Sequence, residues 1–215
     1  MAQNSKINYS VILENNRIVL IMSADNYMFT FNGKFNFKDL DLAFIDTETT
    51  GRGFEHEIIE IAVVRANAFN FSIIDEWDVK IKPKHIENAE EASLKINGYN
   101  EHDWGDAFTL EDAMKVFLEK TENTILVGHN MVFDWYYIHK ALEECNLKST
   151  FWFKCLDTIS LAWLALRDKP EIKNLSIREL TRYFDIEQDR PHSALDDAQA
   201  TRKLFIKITE QSQSF

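Results

Sequence analysis

Four acids in three separated stretches carry the first sign of chemistry. In Leu40–Gly51, LDLAFIDTETTG, an apolar run ends in Asp46, Thr47 and Glu48. Successive side chains of a strand point to opposite faces, so Asp46 and Glu48 share one face about 7 Å apart. Two carboxylates so placed repel each other unless a cation lies between them, although they also fit a polar strand end entering the Thr49-Thr50-Gly51 turn. After Gly128-His129-Asn130, helical steps from Asp134 reach Ile138, Ala141, Leu142 and Cys145, an apolar stripe. Asp134 therefore belongs to a buried face near a helix start, where a carboxylate needs backbone amides or a metal to offset burial. In Arg190–Ala198, RPHSALDDA, two adjacent aspartates are separated by helical geometry. Asp197 aligns with Thr201, Leu204 and Ile208 on the inward face. Asp196 aligns with Ala200, Lys203 and Lys207 on the outward face, as the partner of a Ser193 cap. Asp197 is the functional candidate. His192 lies just before this helix, as an ordinary surface residue or leaning over the same site.

Taken together, Asp46, Glu48, Asp134 and Asp197 supply four negative charges, which two divalent cations neutralise. Ligation by oxygen alone suits Mg²⁺ or Mn²⁺ rather than zinc. Two such ions about 4 Å apart are the arrangement for in-line displacement at phosphorus. A histidine, with an ordinary pKa of about 6.5, takes a proton from water near neutrality.

The elements that must position these groups are legible from periodicity. Leu40–Thr47, Glu57–Ala66 and the residues from Phe69 to Ile81 read as strands, followed by a helix from Thr109 to about Lys120 with Thr109-x-x-Asp112 at its start. Thr124–Gly128 and Phe151–Leu156 read as strands. Asn130–Cys145, Asp157–Arg167, a segment opened by Ser176-x-x-Glu179 and residues 193–210 read as helices, with Asn130 and Asp157 as caps. The order predicts an α/β domain whose mixed sheet opens antiparallel and continues parallel, flanked by helices. Ahead of it, Tyr9–Leu13, Ile18–Met22 and Tyr27–Phe31 read as a β-meander broken at Asn15-Asn16, Asp25-Asn26 and Asn32-Gly33. A boundary near residue 40 divides a β-rich extension, 1–39, from the main domain, 40–215; the extension fits an added sheet, a dimer contact or a nucleic-acid clamp.

The chain has 215 residues, 45% of them hydrophobic, enough for a well-packed core. Two cysteines, Cys145 and Cys155, have neither metal-ligand spacing nor the density of a disulfide scaffold, which points to a reducing, cytoplasmic setting. The longest aliphatic run, Ile18–Met22, is too short to cross a bilayer, and the polar N-terminus lacks a signal-peptide pattern. The net charge is −11, and residues 1–40 contribute none of that excess, with four basic and three acidic groups. Such a balance disfavours a long grip on duplex phosphates but allows an enzyme that holds a strand end through bound cations.

FIDTETTG (44–51), VGHNMVFD (127–134) and HSALDD (192–197), in that order, resemble the three motifs of the DEDDh 3′→5′ exonucleases, among them polymerase proofreading subunits, ribonuclease T and oligoribonuclease. EIIEIAVV (57–64), LKINGY (94–99) and LDTISLAWL (156–164) add to the resemblance, which covers roughly residues 40–210. It implies a ribonuclease H-like fold and stepwise release of nucleoside 5′-monophosphates from the 3′ end of single-stranded DNA or RNA. By position it implies that Asp46 bridges both metals and that Glu48 and Asp197 hold the ion bearing the nucleophilic water. Asp134 then serves the second metal and His192 is the general base. Thr47 and Thr49 would lie beside the terminal sugar. Phe133 would wedge against terminal bases or pack in the core, and Glu60 would approach the terminal nucleotide or act as a structural acid. Trp104, Trp135, Tyr136 and Tyr137 are stacking candidates, most of them expected in the core. Asn97 departs from the family, which often has histidine there. A polymerase or a second copy of the chain is an expected partner, and no membrane is. Two alternatives stand beside this: a non-catalytic relative that binds nucleic-acid ends or docks on a polymerase, and an exonuclease restricted to very short oligonucleotides.

Overall fold

The computed structural model describes residues 8–14, 17–23, 27–32, 37–190 and 192–212. Three strands, β1 (Asn8–Glu14), β2 (Arg17–Ser23) and β3 (Tyr27–Asn32), form an antiparallel meander in the order β1-β2-β3. Its register aligns Tyr9, Met22 and Tyr27, then Val11, Leu20 and Phe29, then Leu13, Ile18 and Phe31. The expected breaks at Asn15-Asn16 and Asp25-Asn26, and Gly33, lie outside the described residues.

A second sheet has the order β6-β5-β4-β7-β8. At its centre β4 (Asp41–Thr49) pairs antiparallel with β5 (Ile58–Ala66), and β5 pairs antiparallel with β6 (Ile73–Lys80). On its other side β4 runs parallel to β7 (Thr124–Gly128), and β7 runs parallel to β8 (Trp152–Asp157). The expected α/β mixed sheet is therefore present. Six helices complete the domain: α1 (Glu91–Asn97), α2 (Leu110–Lys120), α3 (Met131–Glu144), α4 (Thr158–Leu166), α5 (Ile177–Tyr183) and α6 (Ala194–Ser212). Among the described residues no helix is long and apolar enough to cross a membrane.

The strand period sorts the core into two layers. Ala43 and Ile45 of β4, with Ile61 and Val63 of β5, pack against Met114 and Phe117 of α2 and Ile138 of α3. Leu42 and Phe44, with Ala62 and Val64, pack against Ala198 and Phe205 of α6. Residues of even number on β4 and from Glu60 onward on β5 thus look toward α6, and those of odd number toward α2 and α3; the register shift at Glu48/Thr49 puts Ile58 in the α2 and α3 layer.

Local structure departs from expectation at three places. The third strand of the main sheet starts at Ile73 rather than Phe69, because Asn67 Oδ1 accepts the amides of Phe69 and Asn70 and Phe71 turns to φ 58°. Asn130 does not cap α3 with its side chain; it takes a left-handed conformation, φ 66°. Asp157 does the capping from β8, accepting from Asn130 and Met131 N–H at 3.3 and 3.1 Å and from Ile159 N–H of its own helix at 2.8 Å. One carboxylate thus satisfies orphan donors at the starts of α3 and α4. The short α1 carries no apolar stripe long enough to read in the sequence; its signal is Gly98, which closes it at φ 70°. Asp157→Ala uncaps both helices and is expected to lower the unfolding free energy by about 1–2 kcal/mol in urea titration, with Asp157→Asn retaining most of it. An alanine variant as stable as the parent contradicts the shared cap.

Candidate active site

Strand β4 outruns its neighbour: pairing with β7 ends at Phe44↔Val127, so the backbone from Asp46 to Thr49 has no partner strand on that side. The opening lies at the C-terminal ends of the parallel strands, where open α/β sheets place ligands. Asp46 and Glu48, both of even number, face α6, and Thr47 faces α3. Each is met there by an acid from another segment.

On the α3 side, Thr47 donates its hydroxyl to Asp134 Oδ1 at 2.7 Å, and its backbone N–H also bonds to this carboxylate. Asp134 is buried, as its helical stripe predicts. Gly128, six residues earlier, lets the chain turn closely: a Cβ there would lie 2.8 Å from Met131 Sδ. On the α6 side, Asp197 Oδ2 accepts the His192 N–H at 3.1 Å and Oδ1 accepts from Gln188 Nε2 at 2.7 Å. His192 sits at φ 69°, exposed, and one potential ligand atom from each of Glu48, His192 and Asp197 lies within 4.8 Å of the others. The three sequence segments converge at the end of β4.

Glu60 stands directly opposite Glu48 in the register and is 5% exposed. Its carboxylate accepts from Ala194 N–H at 2.9 Å and from the Ser193 hydroxyl, clasping the start of α6 to β5. Asp196 is not on an outward face. Its side chain is only 13% exposed and pairs with Arg190 at 3.3 Å, and Ala200, one turn on, is buried.

The remaining candidates divide. Thr49 is buried and its hydroxyl donates to Gly51 O at 2.6 Å, so the hydroxyls of Thr47 and Thr49 are both engaged within the protein. Phe133 is partly buried, its ring 4.8 Å from that of Tyr137. Trp104 and Tyr137 are core residues, whereas Trp135 and Tyr136 keep some exposure. Asn97 donates its side-chain amide to Thr49 O at 3.1 Å, tying α1 to the end of β4. Gln188 had no sequence signal, since a loop glutamine nine residues from Asp197 belongs to no motif.

Electrostatics follow from this packing. Burial, then the charges of Asp134, Asp197, Glu48 and Glu60, hold Asp46 well above the usual carboxylate range. Burial, with Asp197, Glu60 and Asp134, pushes Glu48 up to about 8. Burial pushes Asp134 up to about 7 although both Thr47 bonds oppose it. Asp197 is raised by burial against the opposing His192 amide. Among the described residues no lysine or arginine forms an ion pair with any of the four.

A family model described as an exonuclease, of the ribonuclease T type, matches residues 43–205. A PolC-type DNA polymerase III of Caldanaerobacter subterraneus subsp. tengcongensis is 31% identical over 169 residues, covering 78% of this chain and 11% of that protein. Its counterpart from Listeria innocua is 30% identical over 177 residues, covering 82% and 12%. The chain thus spans only a small part of the curated relatives it matches. Escherichia coli exonuclease I in complex with a dT13 oligonucleotide superposes with a TM-score of 0.70 at 17% identity, over 82% of this chain and 42% of that one. A zinc-bound form of its single-stranded DNA complex gives 0.71 at 19%, over 81% and 41%. These structures share its fold, and, matched along most of its length by the family model, the chain belongs to the exonuclease family.

Proposed function

We propose that this chain is a metal-dependent 3′→5′ exonuclease that removes nucleoside 5′-monophosphates from single-stranded DNA ends, with residues 40–215 as the catalytic unit and 1–39 as an added extension. The convergence of Asp46, Glu48, Asp134, Asp197 and His192 at the end of β4 carries this proposal. DNA is favoured over RNA because the relatives named above are DNA polymerases and an exonuclease bound to deoxyoligonucleotides. A module of a larger replicative assembly is the fitting context, since the matching segment forms a small part of PolC-type polymerases.

The donor set fits hard divalent cations. It consists of carboxylate oxygens, it is strained by mutual repulsion, and among the described residues no lysine or arginine pairs with it. Asp46, Glu48, Asp134 and Asp197 would hold two Mg²⁺ or Mn²⁺ ions, whose chemistry is to neutralise phosphate charge and lower the pKa of water. Asp46, between the two sides of the cluster, is the central ligand. Thr47 acts through Asp134, whose carboxylate it orients with both of its donors. Thr49 and Asn97 fix the backbone at the end of β4, beside which the terminal sugar fits, and Phe133 borders the terminal base. Glu60 sets the start of α6 and with it the relation of Asp197 to Glu48. His192, exposed on its loop, takes the proton of the attacking water.

With Mg²⁺, 5′-labelled single strands are expected to give a ladder shortening from the 3′ end. Asp46→Ala should abolish it, and a ladder that survives overturns the assignment. His192→Ala should slow cleavage about 10²–10⁴-fold while Mn²⁺ binding by calorimetry persists; loss of binding instead makes His192 a ligand. Equal cleavage of matched RNA would remove the DNA preference, and cleavage confined to two-residue substrates would favour the short-oligonucleotide alternative.

The raised carboxylates also fix the pH dependence of stability. Between the unfolded pKa of about 4 and the folded values of about 7 and about 8, the folded chain retains protons that the unfolded chain has released. Stability of the cation-free protein therefore falls as pH rises through this window. In chelator the melting temperature should drop from pH 5 to pH 8, Mg²⁺ should restore it by more at pH 8 than at pH 6, and Asp46→Asn should flatten both responses. A chelator profile steeper in Asp46→Asn than in the parent contradicts this account.

A further inference from the structure

His192 rides on the connection between α5 and α6, and side chains strap that connection to α6. Lys203 Nζ donates to Glu187 O at 3.3 Å, and Arg190 Nε lies 3.3 Å from Asp196 Oδ2. Lys203 and Arg190 are exposed, so water weakens both contacts. Two further bonds differ in kind, because they end on one acid. Gln188, half-buried, donates Nε2 to Asp197 Oδ1 at 2.7 Å, and the His192 N–H donates to Asp197 Oδ2 at 3.1 Å. A single carboxylate thus receives the loop at both of its oxygens. The loop is bent on either side of Gln188: Asp185 and His192 take left-handed φ values of 52° and 69°, a conformation that costs energy for residues with a side chain.

The chemistry of a carboxylate says what two such bonds can do. An ionised carboxylate has about four acceptor sites, two on each oxygen. One donor on each oxygen fixes the plane of the group and leaves a site open on each. Asp197 is also the acid that comes within ligand distance of Glu48 and His192. A lysine or arginine at position 188 would hold it as firmly, but would neutralise it and compete with a cation. A primary amide orients the acid and leaves its charge in place. Hydrogen-bond partners of ligating carboxylates set the ligand's orientation and tune its affinity. Here one of the two partners is the backbone of His192 itself, so the posture of Asp197 and that of the His192 loop are tied.

We propose that Gln188 is a positioning residue that makes Asp197 a shared anchor for a divalent cation and for the His192 loop, so that the two are set together. This rests on the exonuclease function proposed above, in which Asp197 is a ligand and His192 the base. The effect of Gln188 passes through Asp197. Coupling of this kind is reciprocal: a loop that holds Asp197 in a ligating posture favours the cation, and a cation that holds Asp197 favours the loop to the same extent.

The test uses the full chain with Mn²⁺ and two readouts: hydrogen exchange of the amides from Glu187 to His192, and steady-state cleavage of a 5′-labelled single strand. Mn²⁺ should slow exchange across this segment in the parent. Gln188→Met, of similar length but without a donor, should abolish that slowing and weaken Mn²⁺ binding by calorimetry about 10- to 100-fold. At saturating Mn²⁺ it should lower kcat by a similar factor with KM unchanged. Lys203→Met, which releases another anchor of the same loop but leaves Asp197 alone, should keep both the slowing and kcat. A Gln188→Met chain in which either kcat or the slowing is unchanged overturns the shared anchor, even if that chain melts lower, since the bond is then structural. Equal losses in Lys203→Met and Gln188→Met overturn it too, because any loosening of the loop would then suffice. The parent separates the two claims. Mn²⁺-dependent slowing without cleavage overturns the exonuclease function and leaves the anchor; cleavage without slowing overturns the anchor alone; neither cleavage nor Mn²⁺ binding overturns both.

Discussion

Repulsion among four carboxylates is the constraint on which the rest of the structure depends. Asp46, Glu48, Asp134 and Asp197 are held where burial and one another's charge disfavour ionisation. A flexible chain would let them separate into water, so the fold must oppose that tendency with hydrogen bonds that hold each acid or its element in place. Thr47 holds Asp134 by two donors, the His192 amide and Gln188 hold Asp197, and Glu60 anchors the helix on which Asp197 rides. Glu60 is itself an acid placed next to the cluster, and it adds to the repulsion felt by Asp46 and Glu48. Its engagement with the Ala194 N–H and Ser193 offsets that by fixing the α6 start. Polar groups so arranged are costly unless each has a partner, which explains why the hydroxyls near the cluster are already engaged.

The architecture makes this arrangement possible through one asymmetry. Because β4 extends past β7, its last four residues keep a free edge on one side while β5 stays registered on the other. The period of two then sends Asp46 and Glu48 to the α6 layer and Thr47 to the α3 layer, so a single strand addresses two helices at once. Asp157 completes the frame. By capping α3 from the end of β8, it sets where α3 begins and so where Asp134 stands, and the carboxylate lies at helix starts, where the backbone dipole favours it.

How much of this was legible in the sequence depended on whether a residue's partner was close in the chain. Strand alternation alone placed Asp46 and Glu48 together, and the helical stripe alone gave Asp134 its buried face. Choosing Asp197 over Asp196 by helical phase gave the residue that meets Glu48 and His192, but the accompanying picture of Asp196 as solvent-facing was wrong. Phase predicts a direction from the helix axis, and here a loop carrying Arg190 covers that direction. Asn130 misled for a related reason: it is a good cap by type, but a partner distant in sequence, Asp157, supplied the bond. Thr47 was placed beside a sugar by its position, whereas its donors are occupied by an acid 87 residues away, a pairing that no local pattern encodes.

An acidic protein with the proposed activity on an anionic strand would face a conflict that this geometry resolves by location. Negative charge is concentrated at the end of β4, where cations can neutralise it. Lys140, which would otherwise offer a phosphate contact there, points inward to the carbonyls of Phe54 and His56. A cation used to stiffen a loop cannot also draw in a polyanion. If attraction came mainly from lysines, a long strand would bind anywhere along a basic track. With strong attraction confined to the acid cluster and the ions it would hold, a free end is the feature that suits it. Selectivity for strand ends can thus arise from where charge is withheld as much as from where it is placed.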